Sequence, residues 1–283
     1  MKLEELTTKC NPTWCAGCGN FGIWGAFKNA AVEKDWNSTN SVVVAGIGCH
    51  GNIINFIRLT SFEGLHGRAI PVATGIKLAN NKLNVFVFTG DGDCLGEGGN
   101  HLLHASRRNH DLTVIVHNNN FYSLTTGQTS PSAPHGFKTK STPFGNPDFP
   151  ISPLTIAIAA GATFVARGYA GDMQNLKDLI IKANEHKGFS LIDVIQPCIT
   201  FNKVITNQFL RENIYELKDH DVANREEAFK RSLEWGQKQI PVGIFYQAEK
   251  ESYESSLPQL KDKSLIEHDN TRKNLDDLFR KFI

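Results

Sequence analysis

Apolar runs alternate with segments of helical periodicity through most of this chain. Runs rich in β-branched and aromatic residues, each stopped by Gly, Pro or Asn, predict buried strands at 41–49, 83–93, 112–120, 163–168 and 190–197. Apolar residues at helical spacing predict helices at 21–34, 69–81, 95–109, 153–161 and 172–187. Strands that alternate with helices form parallel sheets through right-handed crossovers. We therefore expect an α/β fold, with helices on both faces of one wound parallel sheet.

Three segments lie outside this alternation. Residues 1–20 predict an irregular arm that ends in the cysteine pair Cys15 and Cys18. Residues 121–152 are rich in Gly, Pro, Ser and Thr, and a loop of that length inside a compact domain is usually functional. Beyond residue 200 the pattern predicts two helices and a short strand before a polar tail, near 204–217, 224–238 and 240–246.

These patterns divide the chain into three expected parts. They are an arm at 1–20, an α/β domain at 21–200 and an α-rich C-terminal extension at 201–283. We expect the extension to contact a partner chain.

Composition narrows the class of protein. The chain has 283 residues, of which 40% are hydrophobic, and its net charge of +1 does not favour a nucleic-acid binder. It shows neither the ~20-residue apolar run of a membrane span nor the layout of a signal peptide, so we expect a cytoplasmic protein. Thiols stay reduced there, and the six cysteines therefore suggest metal binding or chemistry rather than disulfides.

Polar residues follow two of the predicted strands where each strand ends. The segment Gly-Asp-Gly-Asp at 90–93 ends one strand, and the three asparagines at 118–120 end the next. One crossover helix separates them, so both ends are expected at the same edge of the sheet. Asp91 and Asn119 offer hard oxygen ligands that suit Mg²⁺ bound to phosphate. The glycines let the backbone approach a diphosphate near the start of the following helix.

Four cysteines are expected at the same edge of the sheet. Cys49 and Cys198 each follow a predicted strand, and the arm can bring Cys15 and Cys18 to them. One CxxC pair and two single cysteines suit a [4Fe–4S] cluster. Four-cysteine zinc sites more often have two CxxC pairs, and a thioredoxin-type dithiol follows a strand that is absent here. Spacing alone leaves the iron–sulfur and zinc alternatives open.

The remaining two cysteines receive weaker predictions. Cys10 is expected to be a spare thiol on the arm, with a minor alternative as a cluster ligand. Cys94 is expected to pack at the start of a helix.

Several motifs together resemble one family. GDGD followed by the asparagine cluster is similar to the motif that binds thiamin diphosphate and Mg²⁺ in thiamin diphosphate enzymes. With WCAGCG, GIGC, HGRAIPVATGIKLAN, GGNHLLHASRRN and FYSLTTGQTSP, the chain resembles the β subunit of the 2-oxoacid:ferredoxin oxidoreductases over roughly residues 12–245. The resemblance implies the thiamin diphosphate-binding fold for the α/β domain and a cluster-binding role for the arm.

The resemblance also implies roles for individual residues. The Mg²⁺ ligands would be Asp91, Asn119 and the backbone carbonyl of Phe121. Residues near the cofactor would be Ile47, Gly48, Cys49, His50, Gly92, Asp93, Ser123 and Leu124. The [4Fe–4S] ligands would be Cys15, Cys18, Cys49 and Cys198.

The implied reaction is the oxidative decarboxylation of a 2-oxoacid. Coenzyme A would release an acyl-CoA, and ferredoxin would collect the electrons. Thiamin diphosphate enzymes hold the cofactor between two domains, and the second domain supplies an activating Glu. This chain has no second βα domain. We therefore expect an α subunit, or α and γ subunits, to supply that Glu, in an assembly such as α₂β₂. The KSTPFG stretch at 140–145 slightly favours 2-oxoglutarate over pyruvate.

Two rival interpretations explain less of the sequence. A subunit of a non-redox thiamin diphosphate decarboxylase explains GDGD and the asparagines but leaves the cysteines without a role. A zinc-stabilised binding module conflicts with the net charge and with the long parallel-sheet pattern.

The chain departs from the family pattern near the cysteines and in the loop after the asparagines. Ala16 replaces a Pro between Cys15 and Cys18. Ser123 replaces a Gly, so we expect its backbone to avoid positive φ. Thr126 stands where many members have Lys.

Overall fold

The structure is a computed structural model that describes residues 2–236, 239–268 and 276–282. The strands are β1 (Ser41–Ala45), β2 (Thr60–Glu63), β3 (Asn84–Gly90), β4 (Thr113–Asn118), β5 (Phe121–Tyr122), β6 (Gln128–Thr129), β7 (Phe164–Tyr169), β8 (Ser190–Ile195), β9 (Ile214–Glu216) and β10 (Ile240–Gln247). The helices are α1 (Asn20–Glu33), α2 (Ile53–Phe56), α3 (Ala69–Ala79), α4 (Gly99–Arg108), α5 (Pro153–Ala160), α6 (Met173–Glu185), α7 (Asn207–Asn213), α8 (Arg225–Ser232) and α9 (Asp276–Phe279).

Eight of the strands form one sheet in the order β2-β1-β3-β4-β8-β7-β10-β9. The six strands from β2 to β7 in this order are parallel, whereas β10 pairs with β7 in the antiparallel direction. The α/β fold with a parallel wound sheet is therefore confirmed. The part of the chain beyond residue 200 contributes β9 and β10 to the same sheet.

Alternate residues of the central strands are buried on opposite faces of the sheet. Phe86 and Phe88 of β3 pack with α1 and α6, and Val85 and Val87 pack with α3 and α4. All four side chains are at most 1% exposed. This burial on both faces explains why the strands appear in the sequence as continuous apolar runs. Within the described part of the chain, none of the helices has the length and apolar character of a membrane span.

The structure corrects several predicted boundaries and adds elements. The helix predicted at 95–109 is preceded by a π-helical turn at Gly92–Glu97, which starts directly after β3 and Asp91. The segment between the first strand and α3, for which no element was predicted, forms α2 and the edge strand β2. The long loop contains the small hairpin β5–β6.

Two helices predicted beyond residue 200 are shorter than expected. The helix predicted near 204–217 begins after Thr206, whose side chain accepts a hydrogen bond from Phe209 N, and ends at Asn213. Its predicted last turn is wrong, because β9 pairs there with β10. The helix predicted near 224–238 ends at Ser232, and residues 237–238 lie outside the described part of the chain.

The segment after β10 is polar but is held against the domain. Glu254 is 3% exposed, and its carboxylate accepts a hydrogen bond from Asp111 N at 3.0 Å and lies 2.7 Å from His110 Nδ1. Asn109 Nδ2 donates to the carbonyls of Lys250 and Glu251. The predicted polar tail is thus anchored by buried polar contacts rather than by apolar periodicity, which is why its hydropathy pattern did not predict the docking.

We expect Glu254→Ala to destabilise the protein by about 3 kcal/mol, because it removes two hydrogen bonds to a buried carboxylate. Chemical denaturation measures this change in the free energy of unfolding. Glu251→Ala, which truncates an exposed carboxylate three residues earlier, serves as the control and should be near neutral. Equal stability of the two variants would contradict the anchoring role of Glu254.

Candidate active site

One pocket lies at the carboxyl ends of β1, β3 and β4. These strands are neighbours in the sheet, and β2 and β3 pair on opposite sides of β1, an arrangement at which ligands of wound sheets usually bind. Its wall contains every residue predicted to bind the cofactor or Mg²⁺, namely Ile47, Gly48, Cys49, His50, Asp91, Gly92, Asp93, Asn119, Phe121, Ser123 and Leu124. The structure therefore brings these predicted residues together.

Asp91 follows β3 directly and is 1% exposed. Its Oδ2 accepts hydrogen bonds from Ser132 Oγ at 2.6 Å and from Ser130 Oγ. Burial raises the pKa of Asp91, and the two serine hydroxyls and the backbone amide of Asn119 oppose that rise. A buried carboxylate held in this way fits a bound cation, which would supply the missing positive charge. No pattern in the sequence singles out the two serines within the long loop.

The three asparagines at the end of β4 have different roles. Asn119 lines the pocket, and its Oδ1 accepts a hydrogen bond from Phe121 N at 2.9 Å, which fixes the orientation of the amide. Asn120 adopts a left-handed backbone with φ 64°, and its Nδ2 donates to the Ser132 carbonyl at 2.9 Å. Asn118 Oδ1 lies 3.1 Å from the Ser132 hydroxyl, whose hydrogen is donated to Asp91. Asn119 thus faces the pocket, while its two neighbours hold the loop that positions Asp91.

Asp93 joins three segments of the pocket wall. Its carboxylate accepts hydrogen bonds from Gly67 N at 2.7 Å, Ile47 N at 3.2 Å and Thr89 Oγ1 at 2.6 Å. Burial tends to raise the pKa of Asp93, but the nearby His50 and the hydrogen bonds from Gly67 and Thr89 outweigh burial and lower it. The Asp93 carboxylate is therefore engaged in hydrogen bonds within the protein.

Two glycines allow close packing of side chains at the pocket. A Cβ atom on Gly92 would overlap the Tyr122 ring, and one on Gly90 would come within 2.8 Å of His50 Nδ1. His50 Nε2 accepts a hydrogen bond from Gly90 N at 3.1 Å. Burial, with the charge of Glu97 as the next cause, raises the pKa of Tyr122 to about 12, so its phenol stays protonated. Tyr122 was not predicted as a site residue.

His117 was also missed, although it is 1% exposed and lines the pocket. Burial, together with His50, lowers its pKa well below 6.5, so the ring is neutral. Its Nδ1 lies 2.8 Å from Asn20 Oδ1, whereas its Nε2 and the nearby Gln196 Oε1 have no hydrogen-bond partner among the described residues. Buried polar atoms without partners fit a pocket that is completed by a ligand or water. A histidine inside an apolar strand was the available signal in the sequence.

The cysteine group, defined as Cys15, Cys18, Cys49 and Cys198, lies beside this pocket. Burial is the main cause that raises the pKa of Cys49 to about 11, and the charges of the other three cysteines raise it further. Burial likewise raises the pKa of Cys18, with contributions from Cys198 and Cys15. The four sulfurs are therefore near enough to affect one another, as predicted. Cys49 also lines the pocket, so the two sites share a wall.

The arm reaches the cysteine group through apolar anchors. Trp14 is 8% exposed, packs edge-on against Phe21, Trp24 and Phe56, and donates its Nε1 hydrogen to the Cys49 carbonyl at 2.7 Å. These contacts hold the arm against the domain, although the residues around Trp14 form no helix or strand.

The cysteine group offers four thiols, the number of protein ligands that a structural zinc ion or a [4Fe–4S] cluster takes. Within the described residues, no three His, Cys, Asp or Glu side chains converge closely enough to hold a single ion. Cys10 is exposed on the arm, and Cys94 is buried, which raises its thiol pKa.

The two departures in the loop after Asn120 differ in backbone conformation. Ser123 is not among the residues with positive φ, as predicted for a residue with a side chain at this position. Thr126 has φ 77°, a region that β-branched residues rarely adopt. Its strain lies beside the pocket residue Thr125.

Comparisons with known proteins agree with this geometry. Residues 46–194 match the family described as thiamine pyrophosphate enzyme, C-terminal TPP binding domain, and residues 198–262 match the C-terminal family of the pyruvate ferredoxin oxidoreductase beta subunit. The chain is 49% identical over 250 residues to a 2-oxoacid:ferredoxin oxidoreductase subunit beta of Saccharolobus solfataricus, covering 83% of this chain and 82% of that protein. It is 45% identical over 202 residues to the 2-oxoglutarate synthase subunit KorB of Archaeoglobus fulgidus, covering 71% and 75%.

A solved structure matches over almost the whole chain. It is a 2-oxoglutarate:ferredoxin oxidoreductase from Magnetococcus marinus with 2-oxoglutarate, coenzyme A and succinyl-CoA bound. The TM-score is 0.91 at 33% identity, with 99% of this chain and 96% of that chain covered. The chain therefore belongs to the β-subunit family of the 2-oxoacid:ferredoxin oxidoreductases, and it has the fold of their thiamin diphosphate-binding domain.

Proposed function

We propose that this chain binds thiamin diphosphate with Mg²⁺ in the pocket and a [4Fe–4S] cluster in the cysteine group. Together with a partner α subunit it would convert a 2-oxoacid and coenzyme A into an acyl-CoA and CO₂. The two electrons released would pass through the cluster to ferredoxin. The observation that carries this proposal is that Cys49 belongs both to the pocket wall and to the cysteine group.

Different residues of the pocket would bind different parts of the cofactor. Asp91, Asn119 and the carbonyl of Phe121 would hold Mg²⁺ through oxygen atoms. Gly92, Ser123 and Leu124, with the backbone amide of Asp93, would line the diphosphate, and residues 47–50 would approach the cofactor from the end of β1. The start of the helical segment after Asp91 adds backbone N–H groups that favour an anion.

The cysteine group would place an electron acceptor next to the site of decarboxylation. Bound thiamin diphosphate supplies an electron sink for cleavage of the 2-oxoacid, and a cluster takes up electrons one at a time. Cys49 follows β1 and Cys198 follows β8, whose carboxyl ends lie at the same edge of the sheet, and Cys15 and Cys18 belong to the arm. Trp14 and its aromatic neighbours exclude water from one side of the group. A non-redox decarboxylase subunit would have no use for this arrangement.

The mouth of the pocket supports the need for a partner chain. Leu65 is 78% exposed beside the pocket residue His66, and Leu124 in the pocket wall is 53% exposed. Large apolar side chains around a pocket mouth are typical of a surface that another protein covers. The α subunit, or α and γ subunits, would supply the activating Glu and close the site, in an assembly such as α₂β₂.

The substrate class is a 2-oxoacid, and we favour 2-oxoglutarate over pyruvate. Relatives named for 2-oxoglutarate and the solved structure with 2-oxoglutarate bound support this choice. The same structure contains coenzyme A and succinyl-CoA, which supports coenzyme A as the acyl acceptor.

We expect Asp91→Asn to weaken the binding of thiamin diphosphate in the presence of Mg²⁺ by at least about 100-fold, since loss of an outer-shell partner already costs about 10–100-fold. Calorimetric titration of the assembled enzyme measures the affinity. Asp148→Asn alters an exposed carboxylate of the long loop at 121–152 and should bind as the unaltered protein does. Unchanged affinity in Asp91→Asn would contradict its role as a Mg²⁺ ligand.

Replacement of any member of the cysteine group by Ser should reduce or abolish the cluster, because each supplies a thiolate to it. The anaerobically purified protein should contain about four irons per chain and absorb broadly near ~400 nm. Cys10→Ser and Cys94→Ala are the controls and should keep the full iron content. Bound zinc, or a colourless protein with no iron, would overturn the redox function.

The single chain should release no CO₂ from 2-oxoacids, because its described residues form one α/β domain, which would hold only the diphosphate half of the cofactor. Addition of the α subunit should restore turnover with a viologen as electron acceptor. A panel containing 2-oxoglutarate and pyruvate then decides the preferred substrate. Normal decarboxylation by the isolated chain would contradict the requirement for a partner.

A further inference from the structure

Two hydroxyl groups lie against sulfur atoms of the cysteine group. Ser123 Oγ donates a hydrogen bond to Cys198 Sγ at 3.4 Å, and Thr200 Oγ1 donates one to Cys15 Sγ at 3.1 Å. Ser123 belongs to the loop after β4, and Cys198 follows β8, the strand next to β4. The first contact therefore joins two neighbouring loops at the edge of the sheet.

The surroundings of the two hydroxyls differ. Ser123 is half-buried in the pocket wall, and Cys198 is 8% exposed. Thr200 and Cys15 are both exposed. Water can replace the Thr200 hydroxyl as a donor to Cys15, but it has much less access to Cys198. The Ser123 hydrogen bond is therefore the one whose loss the protein cannot make up from solvent.

A hydrogen bond to a sulfur of the cysteine group would change the reduction potential of a bound cluster. Cys198 is 8% exposed, so water screens a charge on its sulfur poorly. Four thiolates around a cluster concentrate negative charge, and each added electron increases that charge. A hydrogen bond to a ligand sulfur stabilises the more negative, reduced form and so raises the reduction potential.

We propose that Ser123 sets the reduction potential of the cluster through its hydrogen bond to Cys198, and that Thr200 contributes less through Cys15. This inference rests on the proposed function, because it requires an iron–sulfur cluster in the cysteine group. In this role Ser123 acts through Cys198, not on the reacting atoms, and is a positioning residue. Because Ser123 lies between the pocket and Cys198, its hydrogen bond would adjust the reduction potential of the cluster that accepts electrons from the pocket.

The test compares reduction potentials of the cluster in the full chain without thiamin diphosphate, measured from its EPR signal at a series of applied potentials. Ser123→Ala should lower the equilibrium constant for reduction about tenfold, which is a shift of about 59 mV to more negative potential for one electron. Ser123→Thr keeps a hydroxyl and should restore the potential. Thr200→Val should give a smaller negative shift.

A matched control lies two residues further along the same loop. Thr125 Oγ1 contacts Gln128 Oε1 at 2.7 Å and no sulfur atom in the described part of the chain, so Thr125→Val should leave the potential unchanged. Ser123→Gly provides a second hydroxyl-free variant should Ser123→Ala fail to assemble the cluster. Iron content is measured for every variant before its potential is compared.

The outcomes separate this inference from the proposed function. A cluster-loaded Ser123→Ala or Ser123→Gly protein with the unaltered potential would overturn the role of Ser123 and leave the proposed function intact. Equal shifts in Ser123→Ala and Ser123→Thr would also overturn it, since the hydroxyl would then be irrelevant. Absence of iron from the unaltered protein would overturn the proposed function together with this inference.

Discussion

The candidate site depends on the parallel direction of the central strands. In β1, β3, β4 and β8 the carboxyl ends all lie at one edge of the sheet, so the loops that follow them meet there. The strands themselves are buried on both faces, mostly by apolar side chains. Polar side chains with chemical functions are therefore concentrated where the strands end. The Asp93 carboxylate then ties the segments at Ile47, Gly67 and Thr89 together and sets the width of the pocket.

Burial strengthens the electrostatic interactions of the groups in this pocket, because water screens them poorly. Asp91 is held by two hydroxyls of the long loop and by the amide of Asn119, and its charge is poorly screened by water. His117 stays neutral for the same reason, because burial disfavours its charged form. A cation and a diphosphate bound here would satisfy charges and polar atoms that the protein alone leaves incompletely compensated.

The cysteine group combines three segments that are remote in the sequence. Cys49 and Cys198 are placed by strands, whereas Cys15 and Cys18 depend on an arm held by Trp14, by the buried Leu6 and by a β-bridge between Thr7 and Ile57. A cluster bound by both kinds of segment would link the arm to the domain, since metal binding by a folded site contributes to folding free energy. The hydroxyls of Ser123 and Thr200 belong to loops at the same edge of the sheet and contact sulfur atoms of the cysteine group. The proposed control of the cluster's reduction potential therefore comes from the loops that surround the cysteine group.

The order of residues was sufficient to predict the α/β class, the central strands and helices, and the meeting of Asp91 with Asn119, whereas the choice of four cluster cysteines stays a prediction. These follow from local periodicity and from the rule that parallel strands end at one edge. The same patterns did not reveal Tyr122 and His117 as pocket residues, the hydroxyls of Ser130 and Ser132 that hold Asp91, or the docking of Glu254. They also predicted a helical turn where β9 pairs with β10. These features emerge only in the folded chain, because they depend on contacts between distant segments that leave no periodic trace along it.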